Sequence, residues 1–269
     1  MTLELKLSPH TYQVHTPGTS IGIPMHFDGP QPNTYGVPTS HAQAYEGQGF
    51  VGDVRQGGSC NFEQVQLIPH CNGTHTECIG HITAERIALS DCLDQYLFPV
   101  TLLSLTPQMG KTTKEKYTPH LEATDLVITR ESLEEKLETV SSDLLQAFII
   151  RTLPNSSDKK ETIYTGKSAP FFTHDAMQYL YQKDVQHLLV DFPSVDRLFD
   201  EGKLSNHHIF WNVPQGSHVP TPTSRRQATI TELVYIPDHC PDGLYALYLA
   251  PAPFVSDAAP SQPIIYALS

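Results

Sequence analysis

The sequence predicts a mixed α/β domain, with a helix layer packed on a largely β body, and three observations carry the prediction. Strand-like runs outnumber helical ones along the 269 residues. Helix and strand patterns alternate only in the middle of the chain. The composition, 39% hydrophobic and 17% charged, supports a sizeable core. No charge run, low-complexity stretch or internal repeat divides the chain, so residues 1–269 read as one domain.

The elements follow in order. Residues 1–60 are rich in Pro, Gly and Thr and read as short strands and long loops, with GIPMHFDGPQP (22–32) turn-dense. FEQVQLI (62–68) alternates apolar and polar residues, which predicts a strand leading into HCNGTHTECIGH (70–81). QYLFPVTLLSL (95–105) is a buried strand. QMGKTT (108–113) evokes a phosphate loop, but Leu105 stands where the leading glycine is required, so it is a loop with a lysine. TRESLEEKLETVSSDLLQ (129–146) has early acids and leucines at helical spacing and predicts an amphipathic helix. AFIIRT (147–152) is a β-branched strand. THDAMQYLYQKDV (173–185) is a second helix, with Thr173 as cap and Asp175 in its first turn. QHLLVDF (186–192) is a buried strand, and HHIFWNV (207–213) is a helix end or a strand, with Trp211 in the core. PQGSHVPTPTSRR (214–226) reads as an inserted surface loop. QATITELVYI (227–236) and GLYALYLA (243–250) alternate like strands.

Charge and composition exclude some functions. A formal net charge of −12 argues against nucleic acid as the partner, since phosphate binding needs clustered Lys and Arg. MTLELKLSPH lacks the apolar core of a signal peptide, and no stretch of about 18 apolar residues follows. The expectation is a cytoplasmic protein with no membrane partner. Five cysteines, without scaffold spacing, fit a reducing compartment.

The chemistry concentrates in HCNGTHTECIGH. On an extended backbone residues two apart share a face, so His75 and Glu77 point together and Cys71 joins them. His70 joins only if the register shifts by one, which a bulge or positive-φ turn at Gly73 would allow. Imidazole and carboxylate on one face suit zinc, manganese or iron. A short segment makes half a site, and the remaining ligands must come from elsewhere. Cys71 and Cys78 have no second cysteine pair to complete a four-sulfur site.

Gly73-Thr74-His75-Thr76-Glu77 with His81 resembles the H-x-G-T-H-x-D…H signature of the metal-dependent cyclase-like hydrolases, the family of bacterial kynurenine formamidase and isatin hydrolase. LLVDFPSVDR (188–197) is similar to the family's D-x-x-S-x-D segment at Asp191, Ser194 and Asp196. HHIFW (207–211) resembles its H-x-x-L-L helix, and residues 229–254 resemble its closing segment. The resemblance implies a swivelling β/β/α fold with a mixed sheet and few helices. It implies one or two divalent ions, Zn or Mn, held by His70, His75, Glu77, His207 and Glu232, with Glu77 able to bridge. His81 becomes the general acid/base, Asp191, Ser194 and Asp196 orient ligands, and His26 and Phe27 contact substrate. The implied activity is hydrolysis of an amide, lactam or ester of a small molecule by metal-activated water, arylformamidase first and isatin-type lactam or lactone opening next. A homodimer or higher homo-oligomer is implied as well.

Three departures leave alternatives. Cys71 stands where the family has its leading histidine, so the first ligand is His70 or Cys71. Glu77 replaces an aspartate and moves the carboxylate about 1.5 Å. The interval from His207 to Glu232 is longer than the family's, with 214–226 as the surplus, which leaves His208 or His218 as alternative distal ligands. A different class of reading is a non-catalytic, metal-stabilised module, whose cation is enclosed entirely by protein ligands.

Overall fold

The computed structural model describes residues 3–7, 10–138, 140–141 and 144–269. Its centre is a mixed sheet of β1 (Thr19–Ser20), β2 (His75–Cys78), β3 (Leu97–Leu105), β4 (Ala147–Thr152), β5 (His187–Val190), β6 (Thr229–Glu232), β7 (Gly243–Pro251) and β8 (Ala258–Ala267). β3, β4, β5 and β6 lie side by side and parallel. β2 adds antiparallel to β6, and β7 antiparallel to β3. β8 pairs with β2 through its first residues and with β7 through the rest, which closes the sheet into a barrel-like ring. β1 hangs on the outer edge of β8. Five α-helices stand among the described residues: α1 (Pro69–Asn72), α2 (Leu89–Cys92), α3 (Arg130–Leu137), α4 (His174–Gln182) and α5 (Ser205–Trp211). This is the expected mixed α/β class with few helices.

Period-2 alternation feeds two cores. In β4, Phe148 and Ile150 join the cluster that contains Leu133 of α3, Met177 of α4 and Trp211 of α5. Ala147 and Ile149 join Val100, Leu102, Leu247 and Ile265, which line the inside of the ring. Every residue of β4 is buried, as a parallel strand covered on both faces must be. Thr173 caps α4 as expected, its hydroxyl accepting from the Ala176 N–H at 3.1 Å.

Several elements depart from expectation. Glu63–Gln66 is a strand, but it pairs with His41–Ala44 as a separate ribbon, and all four residues are exposed. The helix expected over 129–146 ends at Leu137, shortly before the weaker helix formers of Thr-Val-Ser-Ser (139–142); residues 139, 142 and 143 lie outside the described ones. The strand expected over 227–236 stops at Glu232, because Leu233 turns to a left-handed φ of 55°. The 214–226 loop is tied at its neck, where the Arg225 N–H donates to the Trp211 carbonyl at 2.9 Å. Arg225 is half-buried there, its guanidinium over the Phe210 ring at 5.0 Å and donating to the Phe210 and Val185 carbonyls. No described helix is long and apolar enough to cross a membrane.

Candidate metal centre

The β2–β6 register sets His75 directly opposite Glu232, and Glu77, two residues on, shares the face of His75. His75 Nδ1 lies 3.0 Å from the Gly73 carbonyl, which can only accept, so Nδ1 carries the ring proton. In the neutral ring Nε2 is then a lone pair, enclosed in the interior without a hydrogen-bond partner, 3.5 Å from Glu232 Oε2. A lone pair facing a carboxylate oxygen in a buried place is repulsive unless a cation stands between them. Glu232 is held for this role by the Val195 N–H, which donates to its other oxygen at 2.8 Å.

A second group gathers beside the first and shares Glu77. His70 Nε2 is 3.5 Å and His81 Nε2 3.8 Å from Glu77 Oε2. The route by which His70 arrives differs from expectation. Gly73 is extended (φ 169°), and the one-turn helix α1, opened by Pro69, swings His70 inward instead. Gly73 matters for space, since a Cβ there would meet the Met25 side chain at 3.2 Å. Gly80 matters more: a Cβ would lie 2.1 Å from the Ile87 carbonyl, and the tight turn Ile79–His81 that returns His81 to Glu77 depends on that approach. The His70 and His81 rings stack at 4.4 Å.

His207 enters from α5. The carboxylate of Asp196 accepts from the first N–H groups of this helix, Asn206 at 2.8 Å and His207 at 3.1 Å, and from the Tyr117 hydroxyl at 2.7 Å. It also lies 2.6 Å from His207 Nδ1, which turns Nε2 onto Glu77 Oε1 at 3.0 Å. Burial pushes the Glu77 carboxyl up, but the imidazoles of His81, His207 and His70 outweigh it and hold the acid well below the usual carboxylate range. Burial likewise opposes protonation of His207, yet its bonds to Asp196 and Glu77 raise its pKa well above that of a free imidazole.

The structure sorts the sequence candidates. His70, His75, Glu77, His81, His207 and Glu232 converge. Cys71 is buried, and burial pushes its thiol pKa up, away from the thiolate a metal needs. His208 Nδ1 faces the Val213 carbonyl and His218 Nδ1 the Ile82 carbonyl, and neither joins the cluster. Of the three residues expected to orient ligands, Asp196 is the one bonded to a candidate ligand, His207. Asp191 instead accepts from the Thr152 backbone, the Thr152 hydroxyl and Lys159 Nζ, pinning strand ends. Ser194 takes the Asp196 N–H and shapes its turn. His26 is exposed in a turn whose carbonyl accepts from Gly29 and Gln31, and Phe27 is half-buried beside it; neither belongs to the ligand groupings.

Other residues gave no sequence signal. Asp257, just before β8, lies 3.0 Å from His70 and 3.5 Å from His81. Tyr35, at a left-handed φ of 57°, meets Phe199 edge-on at 5.9 Å, and the two rings are 46% and 60% exposed. The turn carrying Tyr35 is seated on the ligand segment by the Thr34 N–H, which donates to the Cys71 carbonyl. A cavity of about 430 Å³ lined by Gly80, Thr83, Arg86, Val255 and Asp257 abuts the cluster. A larger one, about 640 Å³, lies off α5; neither of the two is lined by any of the six converging residues.

A divalent cation fits these residues. Two groups of donor atoms, His75/Glu77/Glu232 and His70/Glu77/His81, each lie within 4.8 Å of one another. Imidazole and carboxylate are the donors that zinc and manganese take, and the unpartnered His75 Nε2 is a donor such an ion would satisfy.

Fold and centre define a class: a closed-sheet α/β protein with a largely buried nest of histidines and carboxylates. More particularly, the chain belongs to the putative cyclase family, whose family model matches residues 3–197. Among curated protein sequences, none matches significantly. Solved structures share the fold along nearly the whole length. A predicted metal-dependent hydrolase from Bacillus stearothermophilus is 17% identical over 95% of this chain and 98% of its own, with a TM-score of 0.57. An isatin hydrolase bound to the product analogue thioisatinate is 13% identical over 94% and 92%, with a TM-score of 0.61. Isatin hydrolase A from Ralstonia solanacearum is 11% identical over 93% and 92%, with a TM-score of 0.62.

Proposed function

We propose that the protein is a metal-dependent hydrolase that cleaves an amide, lactam or ester bond of a small molecule, with His70, His75, Glu77, His207 and Glu232 as the protein's metal ligands. Arylformamidase-like C–N cleavage is the first activity to test. Isatin-type lactam or lactone opening is the second, favoured by the likeness in fold to isatin hydrolases. The observation that carries the reading is the enclosed, unpartnered His75 Nε2 set against Glu232.

A zinc or manganese ion there supplies Lewis acidity, polarising a carbonyl and lowering the pKa of water from about 15.7 towards 7. The chain's own residues do the rest. Asp196 fixes the tautomer and aim of His207. The Val195 N–H holds Glu232. His81, a quarter exposed beside the cavity, carries a proton to the departing nitrogen or oxygen. Tyr35 and Phe199 offer ring edges and faces on which a flat aromatic part of the substrate packs. A homo-oligomeric assembly belongs to the same proposal, and sedimentation equilibrium tests it.

The functional test is metal analysis of the purified protein, then a screen of formamides, lactams and lactones with and without chelator. Chelator-sensitive turnover that disappears in Glu77→Gln supports the reading. Metal bound without turnover on any of these bonds favours a structural module, and turnover that survives both chelator and Glu77→Gln overturns it.

A further inference from the structure

We propose that the cavity of about 640 Å³ off α5 is a second ligand site, which takes a small carboxylate that also carries hydroxyl groups. The inference does not depend on the metal-dependent reading, and none of the candidate metal ligands lines this cavity.

Two parts of the chain build it. His208 of α5 and His174, the first residue of α4, stand on one side with Lys203, and Gln215 and His218 of the 214–226 segment stand on the other. That segment is the surplus in the interval from His207 to Glu232, so the cavity depends on residues the family resemblance does not account for. Its wall is fastened at several points. Gln215 Nε2 donates to the Ser205 carbonyl at 2.8 Å, His218 Nδ1 lies 2.9 Å from the Ile82 carbonyl, and the His218 carbonyl accepts from the Ala84 N–H at 2.8 Å.

Backbone groups set what each imidazole offers. The Thr118 N–H donates to His174 Nε2 at 3.2 Å, so His174 Nδ1 carries the ring proton and is a donor. His208 Nδ1 lies 3.3 Å from the Val213 carbonyl, and His218 Nδ1 faces the Ile82 carbonyl. Carbonyls only accept, so in the neutral rings Nε2 of both histidines is an acceptor. These three remaining nitrogens and the Lys203 ammonium have no hydrogen bond or ion pair among the described residues. His208 is 3% exposed and lines the cavity, so its Nε2 depends on what enters there.

Charge selects the ligand. The chain has 29 acids against 17 bases, yet among the described residues no Asp or Glu lines this cavity. The acids beside it are engaged: Asp175 accepts from the Lys116 N–H, and Asp200 from the Gly202 and Leu204 N–H groups. An ammonium and an N–H donor suit a carboxylate, and two imidazole lone pairs suit hydroxyls. The volume falls in the range of roughly 300–1,000 Å³ that small-molecule sites occupy.

Isothermal titration calorimetry of the full chain with gluconate, hexanoate and sorbitol separates the two requirements. Hexanoate keeps the charge without the hydroxyls, and sorbitol keeps the hydroxyls without the charge. Gluconate is expected to bind, and the other two to bind weaker by about tenfold or more. Lys203→Gln should weaken gluconate by about tenfold or more, and Lys203→Arg should retain most of the affinity. Neither variant alters a candidate metal ligand, so the loss locates gluconate in this cavity rather than at the metal centre. Wild-type affinity in Lys203→Gln, or no binding of gluconate to the wild type, overturns the site. Hexanoate binding as tightly as gluconate overturns the hydroxyl requirement, and sorbitol doing so overturns the carboxylate.

Discussion

His75 shows how much one ring nitrogen can say. Its spacing from Glu77 was legible, because two residues apart on a strand means one face. Its tautomer was not, since that depends on the Gly73 carbonyl, and neither was its pairing with Glu232, which the sheet register sets. Asp257 was illegible for a plainer reason: one aspartate in a loop has no pattern, and only ring closure brings it to His70. At this scale a pH effect follows from His187, a buried imidazole whose Nδ1 lies 2.9 Å from the Thr229 hydroxyl. Burial, aided by the Arg225 charge, pushes its pKa down to about 4 from 6.5. The unfolded chain therefore takes up a proton below pH 6.5 that the folded chain refuses until about pH 4. Stability from this group is complete above 6.5 and lost as pH falls through that window, about 3 kcal/mol in all. Urea titrations at pH 7 and pH 5 should show the loss, and His187→Gln should flatten it. An unchanged acid slope in that variant would put the cause elsewhere.

Among the elements, α5 and the strand ends decide the site. The helix was ambiguous in the sequence because HHIFWNV fits either period, and it resolves once Asp196 is seen accepting from its first N–H groups. The strands β3, β4 and β5 were legible as apolar β-branched runs. FEQVQLI was legible as a strand, but its alternation marks no buried face, and its pairing with His41–Ala44 was not. Lys159 and Asp191 pin β4 to β5 at their ends, with Nζ donating to Asp191 at 2.8 Å and to the Thr152 carbonyl at 2.6 Å. Burial already raises the Asp191 pKa against that partner. Lys159→Met should cost about 3 kcal/mol at neutral pH by leaving the acid without its counter-charge. The loss should shrink in mild acid, where Asp191 takes up a proton instead. Denaturant midpoints at the two pH values check both halves.

For the molecule as a whole, the candidate ligands come from α1, β2, β6 and α5, so a bound cation would staple parts of the chain that are distant in sequence. Binding only the folded state at a hundred times Kd adds about 2.7 kcal/mol. For a domain this long, chelation should lower Tm by roughly 5–10 °C, and excess Zn²⁺ should restore it. A Tm indifferent to chelator in a protein known to have carried metal would break this link between site and fold.

Ring closure also orders events in time. Glu232 and Asp257 lie far downstream of HCNGTHTECIGH, and the strand that seals the ring, Ala258–Ala267, comes after them. A nascent chain still short of these residues holds the HCNGTHTECIGH segment but not the groups that face it. Any cation these residues take together must therefore wait until Ala258–Ala267 has been made and the ring has closed.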